Sequence, residues 1–415
     1  MSDRNLFEPF AGWLISPEWA ERVVAGAYDA KTPAQRRAAV ETNPYSYFGV
    51  TRSREDAAEG ENPTDDDLLA EGATTLTRIL DVDAFVPTGR PAFYVYRLTF
   101  GAHSQTGIVG ALDIDGLFDG RILTHENVRP ERASLLGRHL EVVGATSSPI
   151  ALTHRANRDL QALMAGVSEQ PAFVDHVIED VRHQVWAMDD ATTSAASRLM
   201  SDEVVYVTDG HHRTAAAVAG RDAHPDDPAF ARTLAVLFPD EELRVEAFHR
   251  RSPSSAVAGI RELVAALGEV GTVEPVADAT AADPSERGQI GVYSEGHWWK
   301  LTLNDADHPS ALDSLDVERL RRHVISGVMG VDELGEQSGV DYVPAPSGVA
   351  ELVSRCDADG AVGFLVYPTD IADLMAVARA GDLMPPKSSY FAPKPRSGIF
   401  LRVLGCGATS HLPPS

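Results

Sequence analysis

The chain has 415 residues, and 36 Lys and Arg against 61 Asp and Glu give it a net charge of −25. A strongly acidic protein repels phosphate backbones, which argues against nonspecific binding of DNA or RNA. Two cysteines and the lack of a signal-like start predict a cytoplasmic protein, and no apolar run approaches the roughly 20 residues that span a bilayer. C-x-x-C, H-E-x-x-H and P-loop motifs do not occur.

Hydrophobic periodicity predicts an α/β fold with a mixed sheet. The predicted elements before residue 253 are helices at 17–25, 34–39, 68–80, 135–143 and 158–167, and strands within 93–123. The acidic stretch 52–67 between them is expected to be exposed.

The pattern changes after residue 253. The predicted elements there are a helix at 254–267, a hairpin at 290–303, a helix at 315–325, a strand at 363–368, a helix at 371–380 and a strand at 398–402. We therefore predict four parts, namely a catalytic region at 1–253, an accessory α/β lobe at 254–344, a segment at 345–405 that returns to the active site, and a tail at 406–415.

The most informative segment is 204–217, which reads V-V-Y-V-T-D-G-H-H-R-T-A-A-A. It predicts a buried strand, a sharp turn at Asp209-Gly210, and an Ala-rich helix that packs closely against its neighbours. A helix N-terminus presents free backbone N–H groups and partial positive charge. With a carboxylate, two imidazoles and a guanidinium around it, this turn predicts a phosphate site.

Each of these residues also has a purely structural interpretation. Asp-Gly can simply turn the chain, and His211 or His212 can cap the helix or reach solvent. Their clustering favours function, because each polar side chain placed directly after a buried strand must be desolvated or paired. Arg213 suits the binding of phosphate oxygens, and Thr214 completes the predicted phosphate turn.

Three further polar groups are candidates for the same site. His125 and Glu126 end another apolar run, and Glu126 competes with Asp209 for the role of base. Lys387 and Ser388 follow two prolines that set a rigid approach, although a proline-bounded surface loop explains them as well. His249 and Arg250 follow a strand-like run, and they would join the site if the two strands were neighbours in a sheet.

Blocks along nearly the whole chain resemble the bacterial and archaeal family known as domain of unknown function 1015, whose hallmark is D-G-H-H-R. In chain order the matching blocks are 7–10, 27–29, 43–46, 93–97, 107–111, 125–126, 148–150, 209–213, 248–250 and 384–394. The chain departs from the family pattern at Gly26-Ala27, where the family usually has two prolines. After the His-Glu pair the family tends to carry an acidic residue followed by arginine, and the nearest candidates in this chain are Arg132 and Gly137-Arg138.

This resemblance implies a ParB/sulfiredoxin-like core, in which such a turn binds nucleotide phosphates, and a relation to free-serine kinases. Sulfiredoxin chemistry needs a cysteine in the turn, where this chain has His211 and His212. The kinase branch therefore fits the residues better. The resemblance also implies that Tyr28, Asp29 and Ser148 contact the substrate.

We therefore expect a small-molecule kinase that transfers a phosphoryl group from ATP, ADP or pyrophosphate to free L-serine or a similar hydroxyl compound. Asp209 is expected to accept the hydroxyl proton or to hold Mg²⁺, with His125 and Glu126 as further catalytic candidates. One alternative is a ParB-like switch that binds or hydrolyses nucleotide without an acceptor. Another is a ligand-binding or scaffold protein with a vestigial site, and the oligomeric state stays open.

Overall fold

The computed structural model describes residues 5–201, 203–253, 257, 259–304, 310–335 and 338–415. The strands, in chain order, are β1 (Phe7–Glu8), β2 (Trp13–Ile15), β3 (Phe85–Pro87), β4 (Tyr94–Phe100), β5 (His103–Asp113), β6 (Ile122–Leu123), β7 (Ala145–Thr146), β8 (Ile150–His154), β9 (Val174–Ile178), β10 (Val181–Ala187), β11 (Val205–Asp209), β12 (Arg232–Pro239), β13 (Val245–Glu246), β14 (Phe248–Ser252), β15 (Gly271–Val276), β16 (Gln289–Ser294), β17 (His297–Leu303), β18 (Asp341–Pro344), β19 (Val362–Val366), β20 (Tyr390–Phe391) and β21 (Phe400–Val403).

The helices alternate with these strands. They are α1 (Ala20–Val23), α2 (Pro33–Thr42), α3 (Asp65–Leu80), α4 (Pro130–Val143), α5 (Arg158–Val167), α6 (Asp190–Leu199), α7 (His211–Ala223), α8 (Ile260–Val270), α9 (Ala279–Ala282), α10 (Asp316–Arg319), α11 (Val349–Asp359) and α12 (Ile371–Ala380). A π-helix, Leu320–Val328, continues α10, and 3-10 turns include Tyr28–Ala30 and Ile114–Leu117. None of the described helices is long and apolar enough to cross a bilayer.

The chain divides into two compact units. The first unit contains residues 1–124, 128–243 and 393–415, and the second contains residues 125–127 and 244–392. The predicted boundaries at 253, 344 and 405 do not coincide with these units. The segment after residue 392 belongs to the first unit because β21 pairs there with β2 and β7.

The first unit is built on a nine-stranded mixed sheet in the order β6-β11-β8-β12-β5-β4-β10-β9, with β1 beside β5. The pairs β11–β6 and β12–β8 are parallel, and the other pairs are antiparallel. A second sheet in this unit has the order β3-β2-β21-β7. The predicted mixed α/β class is thus confirmed.

Each face of the nine-stranded sheet carries a hydrophobic core. One core joins Tyr94, Tyr96 and Val109 of the sheet to Leu14 and Phe400 of the smaller sheet. The other core covers the opposite face, since residues alternate along a strand. Its members include buried residues of β8, β11, β12 and α5, namely Leu152, Val207, Leu237, Leu160 and Met164.

The second unit contains a six-stranded sheet in the order β15-β17-β16-β19-β14-β18 and the two-stranded pair β13-β20. The predicted hairpin at 290–303 is confirmed as β16 and β17. The predicted helix at 254–267 starts among residues outside the described ranges, and the described helix α8 begins at Ile260. Helices α5 and α12 have the bounds expected from periodicity.

Candidate functional site

The candidate site of the first unit begins at the end of β11. The register between β11 and β8 shifts between Val207 and Asp209, so that Val207 lies opposite Leu152 and Asp209 opposite Ala151. Leu152 and Ala151 contribute to the two different cores. The bulge therefore turns Asp209 away from the face on which Val207 is buried, a use of bulges common beside active sites.

Gly210 forms the turn between the strand and α7. Its φ of 103° lies in the region that favours glycine, and it occupies the N-cap position of the helix without a side-chain cap. A Cβ atom at this residue would lie 2.8 Å from Nε and Nη2 of Arg213. Glycine is therefore needed for the backbone conformation and for the space that the guanidinium occupies.

Asp209 lies between two cationic side chains. Arg213 Nη2 donates to Asp209 Oδ2, and Lys394 Nζ lies 2.6 Å from Asp209 Oδ1. The side chains of Asp209 and Arg213 are 24% and 29% exposed, and that of Lys394 is 10% exposed. This group, Asp209, Arg213 and Lys394, is called the turn cluster below, and it carries one positive charge in excess.

The remaining residues of the D-G-H-H-R-T motif have different environments. His211 is buried, whereas His212 is half-buried and its Nε2 accepts the N–H of Arg129 at 3.2 Å. Thr214 is buried and its hydroxyl donates to the carbonyl of Gly210. The two histidines thus differ in exposure.

Close packing behind the turn holds α7 in place. Gly137 of α4 faces it so closely that a Cβ there would lie 3.3 Å from the Cβ of Ala219, and Gly220 lies against Phe230. The Ala-rich sequence is what permits this approach, because larger side chains would separate the helices. The predicted close packing of the helix is confirmed.

The turn does not provide a ready-made site for Mg²⁺. Among the described residues, no three His, Cys, Asp or Glu side chains are arranged to hold a metal ion. Asp209 is already bonded to Arg213 and Lys394, and Mg²⁺ prefers several oxygen ligands. These residues therefore do not fit a magnesium site made by the protein alone, and Asp209 as a metal ligand stays a prediction.

The substrate residues expected from the resemblance lie in the first unit. Tyr28 donates to Ser53 Oγ at 2.6 Å and lies 3.0 Å from Asp56 Oδ2, and burial raises the pKa of Tyr28 to about 12. Asp29 belongs to the same 3-10 turn, and its side chain is outside the described part. The hydroxyl of Ser148 lies 2.5 Å from that of Ser397.

His125 and Glu126 belong to the second unit together with Asn127. His125 is buried, and its carbonyl accepts the N–H of Met384 at 2.8 Å. Glu126 is half-buried. Their role as catalytic residues stays a prediction.

His249 and Arg250 were expected to join the site only if their strand were a neighbour of β11 in one sheet, and it is not. They lie within β14 of the six-stranded sheet, whereas β11 belongs to the nine-stranded sheet. Arg250 is fully buried and its Nε donates to Glu333 Oε1 at 3.0 Å. Burial, and secondarily the charge of Arg250, lowers the pKa of His249 to about 4, so this imidazole is neutral at pH 7.

Lys387 and Ser388 also lie in the second unit. The carbonyl of Lys387 accepts from Arg250 at 2.9 Å, and its Nζ lies 5.4 Å from the centre of the Phe248 ring. The hydroxyl of Ser388 donates to the carbonyl of Pro385 at 2.7 Å. These bonds fix the proline loop, and phosphate binding by Lys387 and Ser388 stays a prediction.

Lys394 is the residue that the sequence-based assignment of site residues overlooked. It belongs to the same matching string as Lys387, but it lies between Pro393 and Pro395. The Pro393 carbonyl accepts from the buried Gln105 Nε2 at 3.2 Å, which fixes the start of the segment. The prolines on both sides of Lys394 restrict the backbone there, but Lys387 also follows proline, so this signal alone does not single out Lys394.

Residues 7–318, more than half of the chain, match the family described as "Protein of unknown function (DUF1015)". The chain belongs to the DUF1015 family. The matched range includes the turn cluster residues Asp209 and Arg213 but ends before Lys394. No curated protein sequence matches this DUF1015 chain.

Several solved structures have low similarity to this DUF1015 protein. A free serine kinase in complex with AMP is 13% identical over 72% of this chain and 92% of its own, with a TM-score of 0.35. SbnI with a C-terminal truncation, from Staphylococcus aureus, is 12% identical over 70% and 85%, with a TM-score of 0.35. A conserved hypothetical protein from Pyrococcus furiosus is 13% identical over 69% and 91%, with a TM-score of 0.34.

Proposed function

We propose that the turn cluster binds the phosphates of ATP, ADP or pyrophosphate and that the protein transfers a phosphoryl group to a small hydroxyl compound, free L-serine or a close analogue. The observation that carries the proposal is Asp209 held between Arg213 and Lys394 at the uncapped start of α7. A carboxylate in this position marks the point where negative charge is stabilised. A phosphate oxygen would meet the same two cations, at the positive end of the α7 dipole.

The excess charge of the turn cluster supports anion binding. Arg213 and Lys394 bring two positive charges against the single carboxylate of Asp209, in a protein whose net charge is −25. Long-range attraction of an anionic donor is therefore weak, and the site must rely on contacts at short distance. The partial exposure of Arg213 leaves its guanidinium accessible to a ligand.

Donor binding also provides a base. When phosphate oxygens take the hydrogen bonds of Arg213 and Lys394, the carboxylate of Asp209 is no longer neutralised by these two cations and becomes a better proton acceptor. The acceptor hydroxyl oxygen then forms a bond to phosphorus as the bond to the leaving phosphate or nucleotide breaks, and its proton passes to Asp209. Arg213 and Lys394 neutralise the charge that develops on the transferred group.

The choice of L-serine as acceptor depends on the resemblance of the ten sequence blocks to a family related to free-serine kinases. The residues around the turn cluster do not by themselves distinguish L-serine from other small hydroxyl compounds. Tyr28 and Ser148, which the resemblance assigns to the substrate, lie in the same unit as the turn cluster.

The test is a screen of donors against acceptors. Purified protein is incubated with Mg²⁺ and with ATP, ADP or pyrophosphate in turn, with L-serine, L-threonine or no acceptor, and products are read by mass spectrometry. We expect a phosphorylated acceptor that requires one donor and that disappears in Arg213→Ala. A suitable control is Arg182→Gln, which removes one charge from an exposed arginine paired with Asp175 on the neighbouring strand.

The other outcomes discriminate the alternatives. Loss of nucleotide without any dependence on an acceptor would support a ParB-like switch and contradict the kinase. If Asp209→Asn and Arg213→Ala left every nucleotide activity unchanged, the turn would be vestigial and a binding or scaffold role would remain.

A further inference from the structure

The segment 393–397 carries a second cation two residues after Lys394, namely Arg396. The Pro393 carbonyl is held by Gln105, and Ser397 at the other end accepts the backbone N–H of Ala25 at 3.0 Å. Because Lys394 precedes a proline, its backbone favours an extended conformation. The Cα atoms of alternate residues in an extended segment are about 6–7 Å apart, so Lys394 and Arg396 leave the backbone close to each other and on the same side.

Arg396 is buried, yet its hydrogen bonding is incomplete. The residue is 7% exposed, and it pairs with the carboxylate of Glu179, whose Oε2 lies 3.6 Å from Nη1. Within the described part of the chain, the buried Nε of Arg396 has no hydrogen-bond partner. A buried donor without a partner is costly, which indicates a group that a ligand completes.

The charge around Arg396 is also unbalanced. Glu179 is shared, because its Oε1 lies 2.7 Å from Nζ of Lys31. Among the described side chains, Lys31 and Arg396 thus bring two positive charges against the one carboxylate that they share. The neighbouring His183 does not add to this positive excess, because burial, and secondarily the charge of Arg396, lowers the pKa of His183 to about 3 and keeps it neutral.

Gly26 permits this arrangement. A Cβ at Gly26 would lie 2.4 Å from Glu179 Oε2, so any larger residue would displace the carboxylate that lies between Lys31 and Arg396. Glu179 itself has a positive φ of 50°, in the turn between β9 and β10. Gly26, where the chain departs from the family pattern, is therefore the residue against which the Glu179 carboxylate packs.

We propose that Arg396 binds a carboxylate of the acceptor, so that the acceptor is a hydroxy acid or a hydroxyl amino acid and not an uncharged alcohol. This inference depends on the proposed phosphoryl transfer at the turn cluster. Lys394 and Arg396, on alternate residues of one segment, would hold the transferred phosphoryl group and the acceptor carboxylate of a single small molecule. Bidentate pairing with the guanidinium would satisfy its donors and offset the excess charge.

The experiment compares acceptors that differ in one group. L-serine has a hydroxyl, an amine and a carboxylate, glycerate lacks the amine, and serinol lacks the carboxylate. In Arg396→Gln we expect the KM for L-serine and glycerate to rise about tenfold to hundredfold, which is the range for one lost charged hydrogen bond. The KM for the donor should not change, and serinol should be an equally poor acceptor for both proteins.

Two further variants keep the result interpretable. Arg396→Lys retains the charge but loses the bidentate fork, and we expect an intermediate KM. Arg182→Gln loses an arginine charge from β10 while leaving the Arg396 surroundings intact, and its KM values should equal those of the wild type. An unchanged acceptor KM in Arg396→Gln, or serinol used as well as L-serine by the wild type, would overturn the proposal.

Direct binding separates this proposal from the kinase itself. Calorimetry with L-serine and with glycerate is run on wild-type protein and on Arg396→Gln, without any donor. If L-serine and glycerate bind in a way that depends on Arg396 but no phosphoryl transfer occurs, the kinase proposal is rejected and the carboxylate site is supported. Phosphoryl transfer that does not depend on Arg396 would support the kinase and reject the carboxylate site. If the protein bound neither L-serine nor glycerate and showed no phosphoryl transfer, both proposals would be rejected.

Discussion

The two units each contain an arginine bonded to a carboxylate, and the sequence before both is similar. In the first unit Arg213 pairs with Asp209, and these side chains are 29% and 24% exposed. In the second unit Arg250 pairs with Glu333, and both side chains are 0% exposed. A His-Arg dipeptide close to a strand therefore does not by itself identify an anion site, because burial decides whether the arginine can meet a ligand.

The bonding of the two arginines explains the difference. Arg250 donates to Glu333 and to the carbonyls of Phe248, Lys387 and Pro386, so its role is to tie a proline loop to β14. Arg213 instead folds back over Gly210 at the start of a helix. Arg250 is thus enclosed by backbone carbonyls, whereas Arg213 is partly exposed at the positive end of a helix dipole.

The largest expected effect is on stability, for Arg250→Ala. Removing one partner of a buried ion pair leaves an unpaired charge on Glu333, which should lower the free energy of unfolding by about 3–5 kcal/mol. Arg213→Ala, the matched variant in the partly exposed pair, should lower the free energy of unfolding by only about 1 kcal/mol. Urea unfolding followed by circular dichroism measures both.

A double variant sharpens this result. Arg250→Met with Glu333→Leu removes both charges, and buried apolar replacements of this kind are often neutral or stabilising. We expect the double variant to recover the part of the loss that comes from the unpaired charge of Glu333, while the carbonyls of Phe248, Lys387 and Pro386 still lack their donor. Equal losses for Arg213→Ala and Arg250→Ala would contradict the contrast between the exposed and the buried pair.

The next largest effect is expected for Asp209→Asn, which should change both the rate of phosphoryl transfer and the affinity for the phosphate donor. Phosphoryl transfer should fall by about 100-fold or more, because the group that accepts the hydroxyl proton is lost. The affinity for the donor should rise, since the carboxylate no longer competes for Arg213 and Lys394. Steady-state rates and calorimetry with nucleotide or pyrophosphate measure the two quantities.

The control for this variant is Asp115→Asn. Asp115 pairs with Arg221 of the same helix, α7, so the substitution removes the same charge from a different ion pair. It should change neither the rate nor the donor affinity. Weaker donor binding in Asp209→Asn would mean that the carboxylate helps to bind the donor, and the proposed exchange of partners would be wrong.

The sequence predicted the local structure of the turn because that structure depends on near neighbours. The buried strand, the glycine turn and the small-residue helix are all present as β11, Gly210 and α7. Two features were not predictable. The bulge before Asp209 depends on pairing with β8, and the placement of His249 in another sheet depends on β18 and β19, which are remote in sequence.

The same reasoning applies to the two lysines in 384–394. Their local sequences are alike, since both follow proline, and only tertiary contacts assign Lys394 to Asp209 and Lys387 to the Phe248 ring. The run before His249 was predicted as one strand, but the structure has β13 and β14 with Ala247 between them. The two short strands pair with β20 and β18, so long-range contacts determine the break.

A smaller effect concerns pH and the buried histidine beside Arg250. The folded protein holds the pKa of His249 at about 4, below its ordinary value of 6.5. Between these two pH values the unfolded chain binds the proton and the folded protein does not, so stability is highest above pH 6.5 and falls as the pH drops towards 4. From pH 7 to pH 5 the loss should be about 2 kcal/mol for this one group.

The comparison of wild type with His249→Gln isolates that contribution. His183, whose pKa is lowered to about 3, adds to the pH dependence of both proteins and cancels in the difference. Unfolding free energies at pH 5 and pH 7 should therefore differ less in the variant. An identical pH dependence would show that the folded environment does not keep His249 neutral.

The smallest expected effect separates Lys394 from Lys387. Lys394→Gln removes one of the two cations beside Asp209 and should weaken donor binding about tenfold, as for one charge-assisted contact. Lys387→Gln should change it less than about twofold, because the contacts of that side chain include the Phe248 ring and its backbone carbonyl is held independently of the ammonium group. Calorimetric titration with pyrophosphate measures both variants. The reverse order would assign the phosphate to Lys387, as the sequence alone suggested, and would leave Lys394 as a partner that only keeps Asp209 in place.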